Sequence, residues 1–395
     1  HMRILFTGGG TGGHIYPLLA VAEELKRISR EERIAIDLRY FGDPGPFRDI
    51  LEKEGIGVSK ILGSKLRRYF DWRNFLDIPK FFLSFFQLLW KILIFMPDVL
   101  FSKGGPGALP VVLISRFYRV PIIIHESDAI PGFTNRISSR YAKRIGISFL
   151  TAHDYLSGNI ALTGNPLRPS FLARVNRTPV SQPLREIKEL DSKEILGFAK
   201  DKPLLLFMGG SQGATRINDF VLDVLPQLVK DYQVVLQAGI RNFESVKKEF
   251  DVTAYHLTSE ERKRYLLTGE FRENFEDQPV SLADSLLAAD LVVSRAGSGA
   301  IFSIAAFGKP SILIPLPEAA NDHQRENAYE YAKAGAAVVI ETDNLSPNIF
   351  LDQTKRLLAD PEKLKVMSEA AKNFAKPKAA TVIAEEIVRL TLGTS

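Results

Sequence analysis

The chain has 395 residues, 45% of them hydrophobic and 25% charged, with a net charge of +5. That balance excludes a disordered, collagen-like or coiled-coil protein, and the length favours two domains of roughly 150–200 residues over a single core. There is no cysteine, which excludes disulfides, thiolate metal sites, iron–sulfur clusters and a cysteine nucleophile. The charge is uneven. Residues 1–169 carry 23 Lys and Arg against 15 Asp and Glu, and the remainder 28 against 31. The basic surplus of the first half points to an anionic partner there: nucleic acid, membrane headgroups or phosphorylated lipid.

Met2-Arg3 leads directly into a strand-like run, Arg3–Thr7, with no signal-peptide pattern ahead of it. A glycine-rich turn follows, and a helix is predicted from about Tyr16, with Leu18, Leu19, Ala22 and Leu25 on one face. Further strands are predicted at Ile34–Phe41, Asp98–Ser102, Ile122–His125, Ile145–Ser148 and Ile160–Thr163, with helical segments between them. The second half repeats the theme: strand Pro203–Met208, a helix over 214–229, then strands Gln233–Gln237, Leu291–Ser294 and Ile312–Pro315. Strands separated by helices imply parallel pairing with right-handed crossovers, hence α/β, doubly wound sheets. The expected division is 1–165, a proline-rich linker at 166–183, and 184–377, with a last helix at about 378–395 packing back on the first domain. Tandem open α/β domains bind ligands at the carboxyl ends of their strands, in the cleft between them.

Residues 65–96 stand apart, with ten aromatics and six Lys or Arg against two Asp. Only 17 residues separate Pro79 from Pro97, and Lys80 and Lys91 lie among them. A bilayer span needs about 20 apolar residues, so this is no transmembrane helix. Mixed Phe, Trp and Lys suit an interfacial helix, with Phe81, Phe82, Phe85, Phe86 and Trp90 entering an anionic membrane surface. A core helix covering the sheet is the plainer alternative. Nucleic acid is set aside because the basic residues interleave with apolar runs and form no polar stripe.

Four constellations carry chemistry. Gly8-Gly9-Gly10-Thr11-Gly12-Gly13 sits between a strand and a helix, where backbone N–H groups can cradle an oxyanion. Its spacing also satisfies a dinucleotide fingerprint. His14, directly after it, suits a general base, since imidazole titrates near neutrality; a capping histidine is the bland reading. Gly209-Gly210-Ser211-Gln212-Gly213 follows a second strand and offers another cradle. Ser294-Arg295-Ala296-Gly297-Ser298-Gly299-Ala300, with the amide- and imidazole-rich run 315–327, suits sugar hydroxyls. Lys103-Gly104-Gly105 and His125-Glu126-Ser127-Asp128 each follow first-domain strands, as a catalytic or acceptor-binding cluster or as a hydrogen-bonded core. As a metal site that cluster is poor, because adjacent His125 and Glu126 point opposite ways on a strand, and the six histidines lack zinc-site spacing.

GGTGGHIYP (9–17), GNPLR (164–168), GGSQGA (209–214), SRAGSGA (294–300) and DHQRENA (322–328) occur in that order. With them the whole chain resembles the MurG family of GT-B glycosyltransferases. The resemblance implies two Rossmann-like domains. It implies transfer of N-acetylglucosamine from UDP-N-acetylglucosamine to the muramyl C4 hydroxyl of lipid I, with inversion, for cell-wall synthesis. No cofactor or bound metal is implied. The protein would sit peripherally on the cytoplasmic face of the bacterial inner membrane, alongside other cell-wall enzymes. His14 would be the base. Thr11, Gly12, Gly13, Arg168, Gly210, Ser211, Gln212, Gly213, Arg295, Gly299, Ala300, Ile301, Ser303, His323, Gln324 and Asn327 would serve the donor. Gly9, Gly10, Gly104, Gly105, His125, Glu126 and Asp128 would face the acceptor. The chain departs from the family pattern in placing Ser303 where a ribose-gripping Glu is usual, Pro106 for a Tyr, and Ser127-Asp128 for Gln-Asn. A relative using another nucleotide sugar or lipid, an isomerase of the UDP-N-acetylglucosamine 2-epimerase type, a non-catalytic binding subunit and a nicotinamide oxidoreductase are the alternatives.

Overall fold

The computed structural model describes residues 1–61, 73–175, 192–209, 215–269, 280–317 and 323–393; between 73 and 84 the only side chain described is that of Leu83. The chain divides into two units, His1–Pro169 with Lys376–Ser395, and Ser170–Ala375.

The first unit holds seven parallel strands: β1 Met2–Thr7, β2 Ile36–Gly42, β3 Ile56–Lys60, β4 Val99–Ser102, β5 Ile122–Glu126, β6 Arg144–Ile147 and β7 Ile160–Leu162. Their order is β3-β2-β1-β4-β5-β6-β7. Winding reverses between β1 and β4, which pair with Thr7 opposite Ser102. The turns after those strands, Gly8–Thr11 and Lys103–Gly107, are thereby brought side by side, as at any topological switch point. Alternation on β1 shows how both faces are covered. Ile4 and Phe6 pack with Leu18 and Leu25 of the helix Gly12–Glu31 and with Ile383 and Ile387 of the helix Ala379–Leu392. Leu5 packs on the other face with Leu88, Ile92 and Phe95 of the helix Arg73–Phe95. Glu386 of the last helix also pairs with Arg144 at 2.8 Å.

The second unit repeats the plan with β8 Leu204–Met208, β9 Gln233–Gln237, β10 Tyr265–Thr268, β11 Leu291–Ser294, β12 Ser311–Leu313 and β13 Ala337–Val339. The order β10-β9-β8-β11-β12-β13 is again all parallel. Ser294, before the Arg295–Gly297 turn, lies opposite Met208, the last residue of β8.

Two features depart from the sequence expectation. The first helix begins at Gly12, not near Tyr16. Two poor helix formers occupy its first turn, where the carbonyl of Thr11 accepts from both His14 and Ile15, and Pro17 falls early enough to be tolerated. Strands β3, β10 and β13 were not anticipated. Each lies at a sheet edge and is only partly buried.

Candidate functional site

In the first unit, the two glycine turns at the switch point enclose the ring of His14. A Cβ added at Gly9 would lie 2.9 Å from His14 Nδ1, and one at Gly105 would lie 2.8 Å from Nε2. Only glycine leaves room for the imidazole on both sides. Gly10 is equally tight, with the Asp43 carbonyl and the Gly45 nitrogen both 2.9 Å from where its Cβ would be. His14 Nδ1 is 2.7 Å from Thr11 Oγ1. Burial, then the nearby Lys103 ammonium, lower the imidazole to about 4, while Asp128 pulls the other way. His14 is therefore neutral at pH 7, with a lone pair available on one nitrogen.

Behind it lies a buried polar network. Lys103 Nζ donates to His125 Nδ1 and Ser127 Oγ, both at 2.5 Å. His125 Nε2–H donates to the Gly164 carbonyl at 2.9 Å, and Ser127 donates to Asn165 Oδ1 at 2.9 Å. Both ring nitrogens of His125 are thus engaged, and the ring is fully buried. Burial, with Lys103 beside it, holds His125 well below its ordinary value. Glu126 accepts from the Asp128 N–H at 2.9 Å, Asn135 Nδ2 at 2.8 Å and the Gly132 N–H at 3.3 Å. Burial pushes Lys103 down and Glu126 up, each toward neutrality. Gly104 stands against Asn135, whose Oδ1 would meet a Cβ there at 2.5 Å. Sequence reasoning singled out His125, Glu126 and Asp128. It also grouped the Lys103 turn with them, and it missed Asn135 and Asn165 as members of the network.

Arg168 lies within the first unit. Its Nε donates to Glu23 at 2.9 Å and its Nη2 to Glu54 at 2.7 Å, with only 9% of the side chain exposed. Lys26 joins Glu54 at 2.7 Å. Burial raises the Glu54 carboxyl, but the hydrogen bonds from Lys26 and Arg168 outweigh it and hold Glu54 below its ordinary value.

In the second unit, Gly210, Ser211, Gln212 and Gly213 lie outside the described residues. Arg295 does not project outward. It is buried, and Nη1 donates to the carbonyls of Ile314 at 3.3 Å and Pro315 at 3.4 Å. Asn327 donates to the Ala296 carbonyl at 3.1 Å, and Gln324 Oε1 accepts from the Leu316 N–H at 3.0 Å. These amides tie the helix His323–Lys333, which His323 begins, to the turns after β11 and β12. Ile301 and Ser303 are buried on the helix Ser298–Ala306, and Ala300 is half-buried there. A Cβ at Gly297 or Gly299 would meet nothing within 4 Å.

On the first unit, the helix Arg73–Phe95 carries apolar side chains on two sides over its described part, from Leu83 on. Leu88, Ile92 and Phe95 sink into the core, whereas Leu83, Phe86, Trp90, Leu93 and Ile94 face outward, Trp90 with 65% exposure. Phe85 is exposed less, and Lys91 is half-buried. The adjoining helix Ala108–Phe117 adds Leu113 and Phe117, the latter 72% exposed. Tyr118 Oη bonds the Leu89 carbonyl at 3.3 Å and links the two helices. The side chains of Lys80, Phe81 and Phe82 lie outside the described residues. Among the described residues no helix is long and apolar enough to cross a membrane, and no group of three or more His, Asp or Glu could hold a metal ion.

Residues 4–147 match the glycosyltransferase family 28 N-terminal domain and residues 204–383 its C-terminal domain. A UDP-N-acetylglucosamine–N-acetylmuramyl-(pentapeptide) pyrophosphoryl-undecaprenol N-acetylglucosamine transferase of Clostridium kluyveri is 35% identical, over 90% of this chain and 91% of its own. The protein of the same description from Desulforamulus reducens is 32% identical over 97% of both. Among solved structures, MurG of Acinetobacter baumannii superposes with a TM-score of 0.71 at 25% identity, covering 98% of this chain and 100% of that one. The UDP-GlcNAc 2-epimerase of Neisseria meningitidis, solved with UDP-GlcNAc bound, gives 0.64 at 12% identity over 98% and 100%, a likeness of fold alone.

Proposed function

Because this chain belongs to the pyrophosphoryl-undecaprenol N-acetylglucosamine transferases of glycosyltransferase family 28, we infer that it acts on their substrates. It moves N-acetylglucosamine from UDP-N-acetylglucosamine to the muramyl C4 hydroxyl of undecaprenyl-diphospho-MurNAc-pentapeptide, lipid I. The product is lipid II, the peptidoglycan precursor on which cell shape and division depend. The observation that carries this reading is the end-to-end identity of 32–35% with transferases of one description, against 12% for the epimerase.

The chemistry follows from the first-unit turn. His14 takes the proton of the C4 hydroxyl as the oxygen attacks the anomeric carbon. The bond from that carbon to the phosphate oxygen breaks, the configuration inverts, and UDP leaves with the electron pair. The glycine-rich run 209–213 serves the departing diphosphate on this reading. A diphosphate approaching Arg168 competes with Glu23 and Glu54 for it. Residues 295–301 and the amide-rich helix His323–Lys333 serve the uridine and the sugar. The reaction requires no protein-bound cofactor on this reading. Incubation with UDP-N-acetylglucosamine alone, and then with lipid I, tests the assignment: lipid II and UDP should form only with both. Conversion of the donor by itself would identify an epimerase instead.

The acceptor is a lipid, and the exposed apolar face of the first unit suits the membrane that holds it. Each outward Phe, Trp or Ile there forgoes about 1.5–3 kcal/mol that burial would give. A peripheral position on the cytoplasmic face of the membrane, with flanking Arg116, Arg119 and Lys91 near anionic headgroups, recovers part of that. Replacing Phe86, Trp90 and Ile94 with Ser should lower binding to anionic liposomes about tenfold or more while leaving turnover of a short-chain soluble acceptor unchanged. Unchanged liposome binding would refute the membrane assignment.

A further inference from the structure

Thr11 is the N-cap residue of the helix Gly12–Glu31, with an extended backbone at φ −112° and ψ 157°. A threonine in that place ordinarily turns its hydroxyl onto the backbone N–H two or three residues on. Thr11 makes no such bond. Its Oγ1 lies instead 2.7 Å from the Nδ1 of His14, the third residue of the helix. The capping hydroxyl has been diverted from the backbone to the imidazole.

The other ring nitrogen faces a shared gap. The point where a Gly105 Cβ would sit is 2.8 Å from His14 Nε2 and 3.0 Å from the Gly9 nitrogen. An amide donor therefore borders the same small space as Nε2. A lone pair on Nε2 suits that neighbour, whereas an Nε2–H would set two donors around one gap. From this we propose that Thr11 is a positioning residue: its Oγ1 accepts the Nδ1–H of His14 and so fixes the tautomer whose Nε2 lone pair faces the Gly9–Gly105 gap. The proposal rests on the reading of His14 as base, and it specifies which nitrogen receives the acceptor's proton. Lys103 after β4 and Asp128 after β5 are the charged groups acting on this ring; with burial they leave it neutral, so its hydrogen bonds decide the tautomer.

The test uses the full chain labelled with nitrogen-15 histidine, the His14 signals being assigned by their loss in His14→Gln. Ring-nitrogen shifts at pH 7 should show Nδ1–H in the unaltered protein and a shift toward Nε2–H in Thr11→Val. In the same variant kcat should fall about tenfold to a hundredfold with the UDP-N-acetylglucosamine KM within about twofold, and Thr11→Ser should restore both tautomer and kcat. An Nε2–H ring in the unaltered protein would overturn the proposal, with no variant needed. So would a Thr11→Val enzyme with unchanged tautomer and kcat, or one whose loss lies in the donor KM, which would make Thr11 a donor ligand. Near-normal transfer by His14→Gln would remove His14 as the base, while the nitrogen shifts still decide what Thr11 does to the ring.

Discussion

Glycines follow β1 and β4 in the first unit and β11 in the second, yet they differ in what lies against them. In the first unit Gly9, Gly10, Gly104 and Gly105 are all crowded: a Cβ at any of them would come within 3.0 Å of another part of the protein. Two of the four confront the His14 ring. In the second unit, Gly297 and Gly299 face open space. Glycine is needed in the first case because the protein fills the space itself, with the His14 ring at Gly9 and Gly105, the Asp43 and Gly45 backbone at Gly10 and Asn135 at Gly104. In the second, packing demands no glycine, and Gly297 also caps the helix Ser298–Ala306, a place that favours glycine. On the function proposed above, the first unit's turns hold the reacting group, and Gly297 and Gly299 of the second admit the donor.

Substitution at these glycines would break the comparison most sharply. Gly105→Ala puts a methyl group on Nε2 at a position whose φ is +85°, so it both blocks the base and strains the turn. Transfer should fall by roughly a hundredfold to a thousandfold, as for loss of a general base, while UDP affinity by calorimetry stays within about twofold. Equal loss of both would mean that the turn serves the donor. Gly299→Ala should do the reverse. It adds a better helix former to an uncrowded first turn, so the thermal midpoint should hold or rise slightly, while the donor KM rises about tenfold. An unaltered KM would leave that open space without a ligand.

A subtler effect concerns pH. The free enzyme's His14, at about 4, should place the acid limb of kcat/KM near that value. Bound diphosphates are anionic and favour the imidazolium, so the limb of kcat, which reports the complex, should lie at higher pH. Coincident limbs would separate His14 from the bound phosphates.

The sequence reading reached the α/β class, the tandem arrangement and most central strands, because buried parallel strands are continuous apolar runs that end in glycine turns. Gln233–Gln237 and Leu291–Ser294 match the structure residue for residue. Of the edge strands it reached β7, Ile160–Leu162, but not β3, β10 or β13. His14 was legible from its place after the turn. The inward role of Arg295 and the attachment of Arg168 to Glu23 and Glu54 were not, because a side chain's hydrogen-bond partners are set by residues distant in sequence: Ile314 and Pro315 for the first, more than a hundred positions away for the second. Asn165 shows the same limit: Ser127, 38 positions before it, donates to its Oδ1.

The central claim is that the imidazole enclosed by the first unit's glycine turns removes the proton from the lipid acceptor while the donor is gripped elsewhere. It is tested most directly by His14→Ala, assayed for transfer of labelled N-acetylglucosamine to lipid I and titrated with UDP in parallel. The account predicts a loss of turnover of about a thousandfold, with UDP affinity within about twofold of the unaltered enzyme. Turnover within a few-fold of normal, or a loss explained by weakened UDP binding, would contradict it.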